Sequence, residues 1–282
     1  MKIPFFALMP LYVASLNSGS NGNCYYIGNE SEAILIDIGI ACREVEKRMK
    51  RLGLSVTKIK AIFISHEHTD HIKGLQVFAN KFKIPVFISA PTFSAMNCSL
   101  QRNLLYHFQA LEKVVVGNLK VVPFPKKHDA VDPFSFTISD SETIVGVFTD
   151  IGTPCDHLVN HFKTCHAAFL ESNYDEVMLH KGTYPFHLKR RIMSDHGHLS
   201  NAQALNLFKK ERPGHMTHLI LSHLSKNNND PTLVKELFEP HAEGVNVIIA
   251  SRYKETAIYK IQPAENNRKI CSESFKAQLE LF

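Results

Sequence analysis

The chain has 282 residues, 44% of them hydrophobic, and a formal charge of +5 at pH 7. That length supports a sizeable core without disulfide staples, in one large domain or two small ones. The mild positive charge is compatible with an anionic substrate without specifying one. No uninterrupted apolar run reaches about 18 residues, which excludes a spanning helix.

The N-terminal stretch MKIPFFALMP has a Lys followed by an apolar run, like a secretory leader, but Pro4 and Pro10 interrupt it. We read residues 1–10 as an extension that a start at Met9 would largely remove. Strand-like runs follow at 11–16, 24–28, 32–38 and 60–65, separated by Gly/Asn/Ser turns. Between the third and fourth, Val45, Met49 and Leu52 recur at helical spacing, with Gly53 as a stop. A second helix is expected over 72–82 and a buried strand over 85–89. The middle is strand-rich again, at 113–124, 134–139, 143–150 and 166–172. The last third turns helical: 184–195, then 200–211 with Ser200 as N-cap, a strand at 218–223, and a helix at 230–239 with Pro231 in its first turn. Closing strands are expected at 245–251 and 256–261.

Two batches of strands, each followed by helices, predict two sheets packed face to face with helices outside, in one continuous domain over 11–262. A polar, loosely held tail is expected over 263–282. The cysteines (Cys24, Cys42, Cys98, Cys155, Cys165, Cys271) show no CxxC or regular spacing, so reduced thiols in a cytoplasmic protein are expected.

Histidine numbers 16, many for this length, and it is the commonest metal ligand. FISHEHTDHIKG (63–74) places His66, His68, Asp70 and His71 within six residues, directly after an apolar strand. If strand geometry persists, His66 and His68 point to the same side, while Asp70 and His71 open the next helix. Four ligands on one short turn cannot all reach a single ion with good geometry. Two ions are the simpler arrangement, one held by His66 and His68, the other by Asp70 and His71. The donor set suits Zn, Mn or Fe. Further ligands must come from other strand ends: His128 follows the strand ending at Phe124, Asp150 ends 143–150, and His223 ends 218–223. Asp150 can bridge both ions.

These motifs resemble the metallo-β-lactamase fold superfamily, and most closely its YycJ/WalJ (VicX) branch. SGSNGNCYYIG, LIDIG, FISHEHTDHIKGL, HDAVDPFSFTI, VFTDIG, LESNYDEVML, GHLSNAQA and LILSHLSKNNNDP occur in order within residues 11–231, about four-fifths of the chain. The resemblance implies a four-layer αββα sandwich, two mixed β-sheets flanked by helices. It implies His66, His68, Asp70, His71, His128, Asp150 and His223 as ligands of two divalent metal ions. It also implies Asp37 as the buried acid bracing the ligand loop. Glu171 and His198 resemble the Glu and His of the superfamily's tRNA 3′-processing nucleases, where the His protonates the leaving oxygen and the Glu orients it. The segment LESNYD departs from the His-Glu-Ala-Thr segment of those nucleases. His196 lies close by, but His198 directly precedes the LSNAQA helix start.

The expected function is a dinuclear hydrolase with metal-bound hydroxide as nucleophile, Asp70 in the catalytic centre and His198 as general acid. The resemblance implies a 5′-to-3′ exonuclease acting on DNA rather than RNA. A lactonase- or thioesterase-like small-molecule hydrolase of the same fold is the alternative. Phosphate contacts are expected from Lys126 and Lys127 beside His128, from Lys189, Arg190 and Arg191 near His198, and from Lys226 and Asn227 after His223. No motif reads base edges, so cleavage independent of sequence is expected. At the C-terminus, Gln278, Leu279, Leu281 and Phe282 resemble the bacterial sliding-clamp-binding pentapeptide, with Glu280 in place of its Ser or Asp. That resemblance implies the clamp as partner.

Overall fold

The computed structural model of the protein describes residues 10–263. Residues 1–9 and 264–282, on which the expectations for an N-terminal extension and for the Gln278, Leu279, Leu281 and Phe282 motif rest, lie outside the described residues.

The chain opens with an antiparallel meander, β1 (Leu11–Asn17), β2 (Cys24–Gly28) and β3 (Ala33–Ile36). Helix α1 (Cys42–Arg51) then crosses to β4 (Ile59–Phe63), which pairs in parallel with β3. After α2 (Thr69–Ile72) and α3 (Leu75–Phe82) comes β5 (Val86–Ile88); after α4 (Ala90–Ala95) comes β6 (Leu105–His107) at the sheet edge. The second sheet repeats the plan. Strands β7 (Val114–Val116), β8 (Leu119–Pro125), β9 (Phe134–Asp140) and β10 (Thr143–Phe148) are antiparallel. Helix α5 (Asp156–Phe162) leads to β11 (Ala167–Glu171), which is parallel to β10. Then α6 (Glu176–Lys181), α7 (Phe186–Ile192) and α8 (Asn201–Glu211) precede β12 (His218–Ser222), and α9 (Pro231–Phe238) precedes β13 (Asn246–Ile249). Finally β14 (Tyr259–Ile261) returns to the first sheet, antiparallel to β1. Each sheet has seven strands among the described residues.

Packing explains why these strands read as continuous apolar runs rather than alternating ones. Both faces of each sheet are covered, so both parities of side chain are buried. In β2 and β4, Tyr25, Ile27, Ala61 and Phe63 face the space between the sheets, where they meet Phe136 and Phe169. Their neighbours Cys24, Tyr26 and Ile62 face outward onto α1 and α3, against Val45, Met49 and Phe78. The second sheet does the same against α5, α8 and α9 through Leu158, Phe208 and Phe238. The result is the four-layer αββα sandwich.

Local differences from expectation have physical causes. The run 113–124 is two strands joined by a turn at Gly117–Asn118. The helix expected over 72–82 is broken between α2 and α3, where Gly74 lies so close to the chain that a Cβ there would meet the Ile40 carbonyl at 2.1 Å. Gly39 is tighter still, since its Cβ would lie 1.7 Å from the Asp70 carbonyl. These two close approaches let the Asp70–His71 turn sit against the end of β3. The short α4, α5 and α6 and the edge strand β6 were not anticipated. Cys24, Cys42, Cys98, Cys155 and Cys165 are free thiols. Among the described residues no helix is long and apolar enough to cross a membrane.

Candidate metal centre

The loop after β4 is held by one buried carboxylate. Asp37, directly after β3, is fully buried. Its Oδ1 accepts from the Ser65 amide at 2.8 Å, and its Oδ2 accepts from the Ser65 hydroxyl at 2.8 Å and from His71 Nδ1 at 2.7 Å. With its single proton given to Asp37, Ser65 Oγ accepts from His66 Nδ1 at 2.9 Å. Both imidazoles thereby spend Nδ1 on the brace, so on each it is Nε2 that is left for another partner. Asn23, from the turn after β1, adds a third support: its backbone amide donates to the Asp70 carbonyl at 2.7 Å.

Side chains from distant strand ends complete the cluster. His66, His68 and His128 bring one nitrogen each to within 4.8 Å of one another, and a carboxylate oxygen of Asp70 and a nitrogen each of His71 and His223 do the same. Asp150 lies between the two groups, with Oδ2 3.1 Å from His71 Nε2 and Oδ1 3.3 Å from His223 Nδ1 and 3.9 Å from His128 Nε2. Asp37, Asp150 and His223 all have positive φ, at 60°, 56° and 58°. Non-glycine residues in that region cost of order 1 kcal/mol or more, and such strain concentrates at functional sites.

Divalent cations fit this donor set. His128 Nε2, His223 Nε2 and Asp150 Oδ2 are buried and make no hydrogen bond, although buried polar atoms are nearly always satisfied. His128 Nδ1 is engaged by the Gly197 carbonyl at 3.1 Å, so its other nitrogen is the one left over. The electrostatics divide the cluster in two. Burial pushes His66 well below the usual imidazole range and His128 down to about 4, so both are neutral and can act as donors to a cation. Burial disfavours charge on His71 and His223 as well, but there it is outweighed. Asp150, Asp37 and Asp70 raise His71 to about 10, and Asp150, Asp70 and Glu171 hold His223 well above its ordinary value. That half of the cluster demands positive charge, which a proton meets partially and a cation meets better.

Glu171 ends β11 and is fully buried. Its Oε2 accepts from the amides of Ile151 at 2.7 Å and Leu199 at 3.2 Å. Its Oε1 accepts from His198 Nδ1 and His223 Nδ1, each at 2.8 Å. Burial alone would raise this carboxyl, but the charge and hydrogen bond of His198 and the contacts of His223 bring it down to about 2. His198 retains 22% exposure and lines the cavity above the cluster, so its Nε2 is the nitrogen left to face a substrate. His196 is exposed. The loop bearing His198 is fixed by its amide donating to the Ile192 carbonyl at 2.9 Å and by the capping box of Ser200 and Gln203 at the start of α8.

The side chains expected to meet phosphate are placed differently from one another. Lys126 is buried, with Nζ donating to the Thr149 carbonyl at 2.7 Å. Lys189 Nζ is spent on the carbonyls of His180 and Gly182 at the end of α6, both at 2.7 Å. Lys127 is exposed, and Arg190 lies over the Phe186 ring at 5.9 Å; neither lines the cavity. Asn227 Nδ2 donates to Tyr184 Oη at 3.2 Å, and Lys226 opens onto a neighbouring cavity. Arg191, the third cation of the run 189–191, does line the cavity above the cluster, of about 290 Å³, and is paired with Asp129. Tyr184, Leu188 and Asn173 also line it and were missed. Asn173 carried a signal, since it stands two residues beyond Glu171 at a strand end, and its amide donates to the His223 carbonyl at 2.8 Å.

Comparison with known proteins agrees with this geometry. The family model of the metallo-beta-lactamase superfamily matches residues 18–169. The exodeoxyribonuclease YycJ of Bacillus anthracis is 33% identical over 230 residues, 80% of this chain and 87% of that protein. The exodeoxyribonuclease WalJ of Streptococcus pneumoniae is 29% identical over 227 residues, 79% and 83% of the two chains. Among solved structures, the metallo-beta-lactamase fold protein YhfI from Bacillus subtilis superposes with a TM-score of 0.68 at 18% identity, covering 89% of this chain and 99% of its own. Human tRNase Z, short form, gives 0.60 at 15% identity, covering 88% and 99%. Motifs, sheet order, the buried His/Asp cluster and sequence identity converge: the chain belongs to the metallo-β-lactamase superfamily, in its YycJ/WalJ family.

Proposed function

We propose that this metallo-hydrolase fold carries a two-metal phosphodiesterase that removes nucleotides from a 5′ DNA end. Its curated relatives are named exodeoxyribonucleases, and one observation within this chain supports the same reading: the Glu171–His198 pair at the lip of the cluster. His66, His68 and His128 would hold one cation, Asp70, His71 and His223 the other, and Asp150 would touch both. Bound there, the pair of cations would supply Lewis acidity, ionising water near neutral pH and offsetting phosphate charge.

The chain's own groups do the rest. A departing sugar alkoxide is a poor leaving group and needs a proton as the P–O bond breaks. Glu171 fixes His198 with Nδ1–H inward and leaves Nε2 facing the cavity, the position from which that proton is delivered. Arg191, held by Asp129, adds a positive group on the α7 wall. A cavity that is polar and has no base-reading device suits cleavage independent of sequence.

The test uses metal-stripped protein resupplied with Zn or Mn and given end-labelled DNA and RNA. DNA is expected to be shortened from the 5′ end, and Asp70→Asn to abolish this. His198→Ala should slow DNA hydrolysis by about 10²–10⁴-fold while changing little with a p-nitrophenyl phosphodiester, whose leaving group needs no proton. Equal losses on both substrates, or a lactone or thioester cleaved with no cost from His198→Ala, would refute the assignment.

A further inference from the structure

A second cavity, of about 410 Å³, adjoins the catalytic one, and Ser225 lines both. Its wall carries Lys226, Arg252, Tyr253 and Lys254, with Asp230 at the edge. The charge balance there is one-sided. None of the three cations pairs with a carboxylate among the described residues. Asp230 Oδ1 is committed to the amides of Thr232 and Leu233 at the start of α9. Glu255, the next acid along the chain, is taken by Arg51 through two contacts of 2.6 Å.

The segment is rigid as well as basic. The Tyr253 carbonyl accepts from the buried Arg48 at 3.3 Å, and its amide donates to Ser251 Oγ at 3.1 Å. The Arg252 carbonyl accepts from Asn21 at 2.9 Å, and the Ser251 carbonyl from the Ser18 amide at 3.2 Å. Both donors belong to the turn after β1, whose Ser20 lines the catalytic cavity. On this braced backbone the Tyr253 ring stands 70% exposed. An aromatic ring left in water on a fixed main chain, flanked by unpaired cations and opening beside a phosphodiesterase centre, has the makings of a base-stacking platform.

We infer that this cavity binds the single-stranded polynucleotide segment adjoining the scissile phosphodiester, with Tyr253 stacking on a base and Lys226, Arg252 and Lys254 meeting its phosphates. The inference rests on the phosphodiesterase reading and adds where the strand runs. Lys226 therefore does contact phosphate, but at this flanking subsite rather than over the metals. A hydrolase of small molecules would have no use for such a platform, because its substrate ends within the first cavity.

The experiment measures KM and kcat of the metal-loaded enzyme on single-stranded oligodeoxynucleotides of increasing length, and on bis(p-nitrophenyl) phosphate. Tyr253→Ser is expected to raise KM for the longer oligonucleotides about tenfold or more with kcat little changed, and Tyr253→Phe to behave like the parent. Arg252→Ala combined with Lys254→Ala should reduce the slope of log KM against log salt by about 1.4, two contacts at about 0.7 each. The small diester should be hydrolysed at the parental rate by every variant. Parental KM, salt slope and length dependence in all variants, from an enzyme that does cleave DNA, would overturn the inference alone. An enzyme that cleaves no DNA with either metal would overturn both it and the reading beneath it.

Discussion

Asp37→Asn isolates the brace of the ligand loop, because it changes charge and donor pattern with almost no change in volume. Asp37 accepts three donors with two oxygens. An asparagine can keep its oxygen on the Ser65 amide, since the opposite orientation would set NH₂ against N–H. Its NH₂ then faces Ser65 Oγ and His71 Nδ1. The hydroxyl can turn and accept, but His71 can no longer donate there. It must shift its proton to Nε2, which removes the lone pair aimed at the cluster, or else lose its partner altogether. Losing a charged hydrogen bond costs about 1.5–3 kcal/mol. Losing the group that orients a metal-binding imidazole weakens metal affinity about 10–100-fold. The expected outcome is therefore a rise of about 10–100-fold in Kd at the proposed His71 site, read by competition with a chromogenic chelator, while the proposed His66 site changes less. Its ligand His66 takes its orientation from Ser65 Oγ, which survives the substitution. Excess metal should restore most of the activity. Two dissociation constants within twofold of the parent would refute the reasoning, because they would mean that the tautomer of His71 does not depend on Asp37.

Two predictions concern stability. Phe169 is fully buried between the sheets, with its ring 4.9 Å from that of Tyr25; Phe169→Ala should cost about 3–5 kcal/mol in denaturant unfolding, and a loss below 1 kcal/mol would contradict the packing described. His166 accepts from the Ile144 amide at 3.2 Å and lies beside His215, and burial followed by that neighbour holds it down to about 4. The unfolded imidazole titrates near 6.5, so stability from this group is complete above about pH 6.5 and falls as pH drops towards 4, where the unfolded chain takes up a proton that the fold refuses. Allowing for the solvent that still reaches the ring, the loss is about 1–2 kcal/mol, and His166→Asn, which keeps an acceptor for Ile144, should flatten that slope; an unchanged slope would assign the acid sensitivity elsewhere.

How much was legible depended on whether a feature is local. His66, His68, Asp70 and His71 were readable as a candidate cluster because four potential donors share one turn. His128, Asp150 and His223 were readable from a second regularity, their places at the ends of apolar runs. The break between α2 and α3 was not, because it depends on Gly74 touching the carbonyl of Ile40, a contact the periodicity of 72–82 does not encode. Lys126 misled for the same reason. Its neighbour His128 faces the site, but Lys126 itself turns inward to the Thr149 carbonyl, a partner supplied by β10 and its following turn. Helix α6 left a usable trace, since Asp175 caps it by accepting from Met178 N at 2.8 Å. On the cavity wall from α7, Arg191 was readable within the basic run 189–191, but Leu188 left no trace, for no residue of that helix is buried and its pattern is that of a solvated surface.

The strain and the charge of the site have one structural origin. Asp37, Asp150 and His223 each lie one or two residues past the end of a strand, and each takes a left-handed φ there. Continued extension would carry those side chains along the sheets' pleat; the reversal brings them to a shared edge, where they meet the turn after β4. Three carboxylates, Asp70, Asp150 and Glu171, are thereby drawn into or beside a space of low polarisability, and burial alone would drive their protonation. They remain ionised because His71, His198 and His223 face them, and because the sheets behind, packed on both faces, leave the backbone no slack to move apart. A cluster assembled against its own electrostatics in this way is one that cation binding stabilises directly. Metal affinity and fold stability at this edge are then two readings of the same free energy.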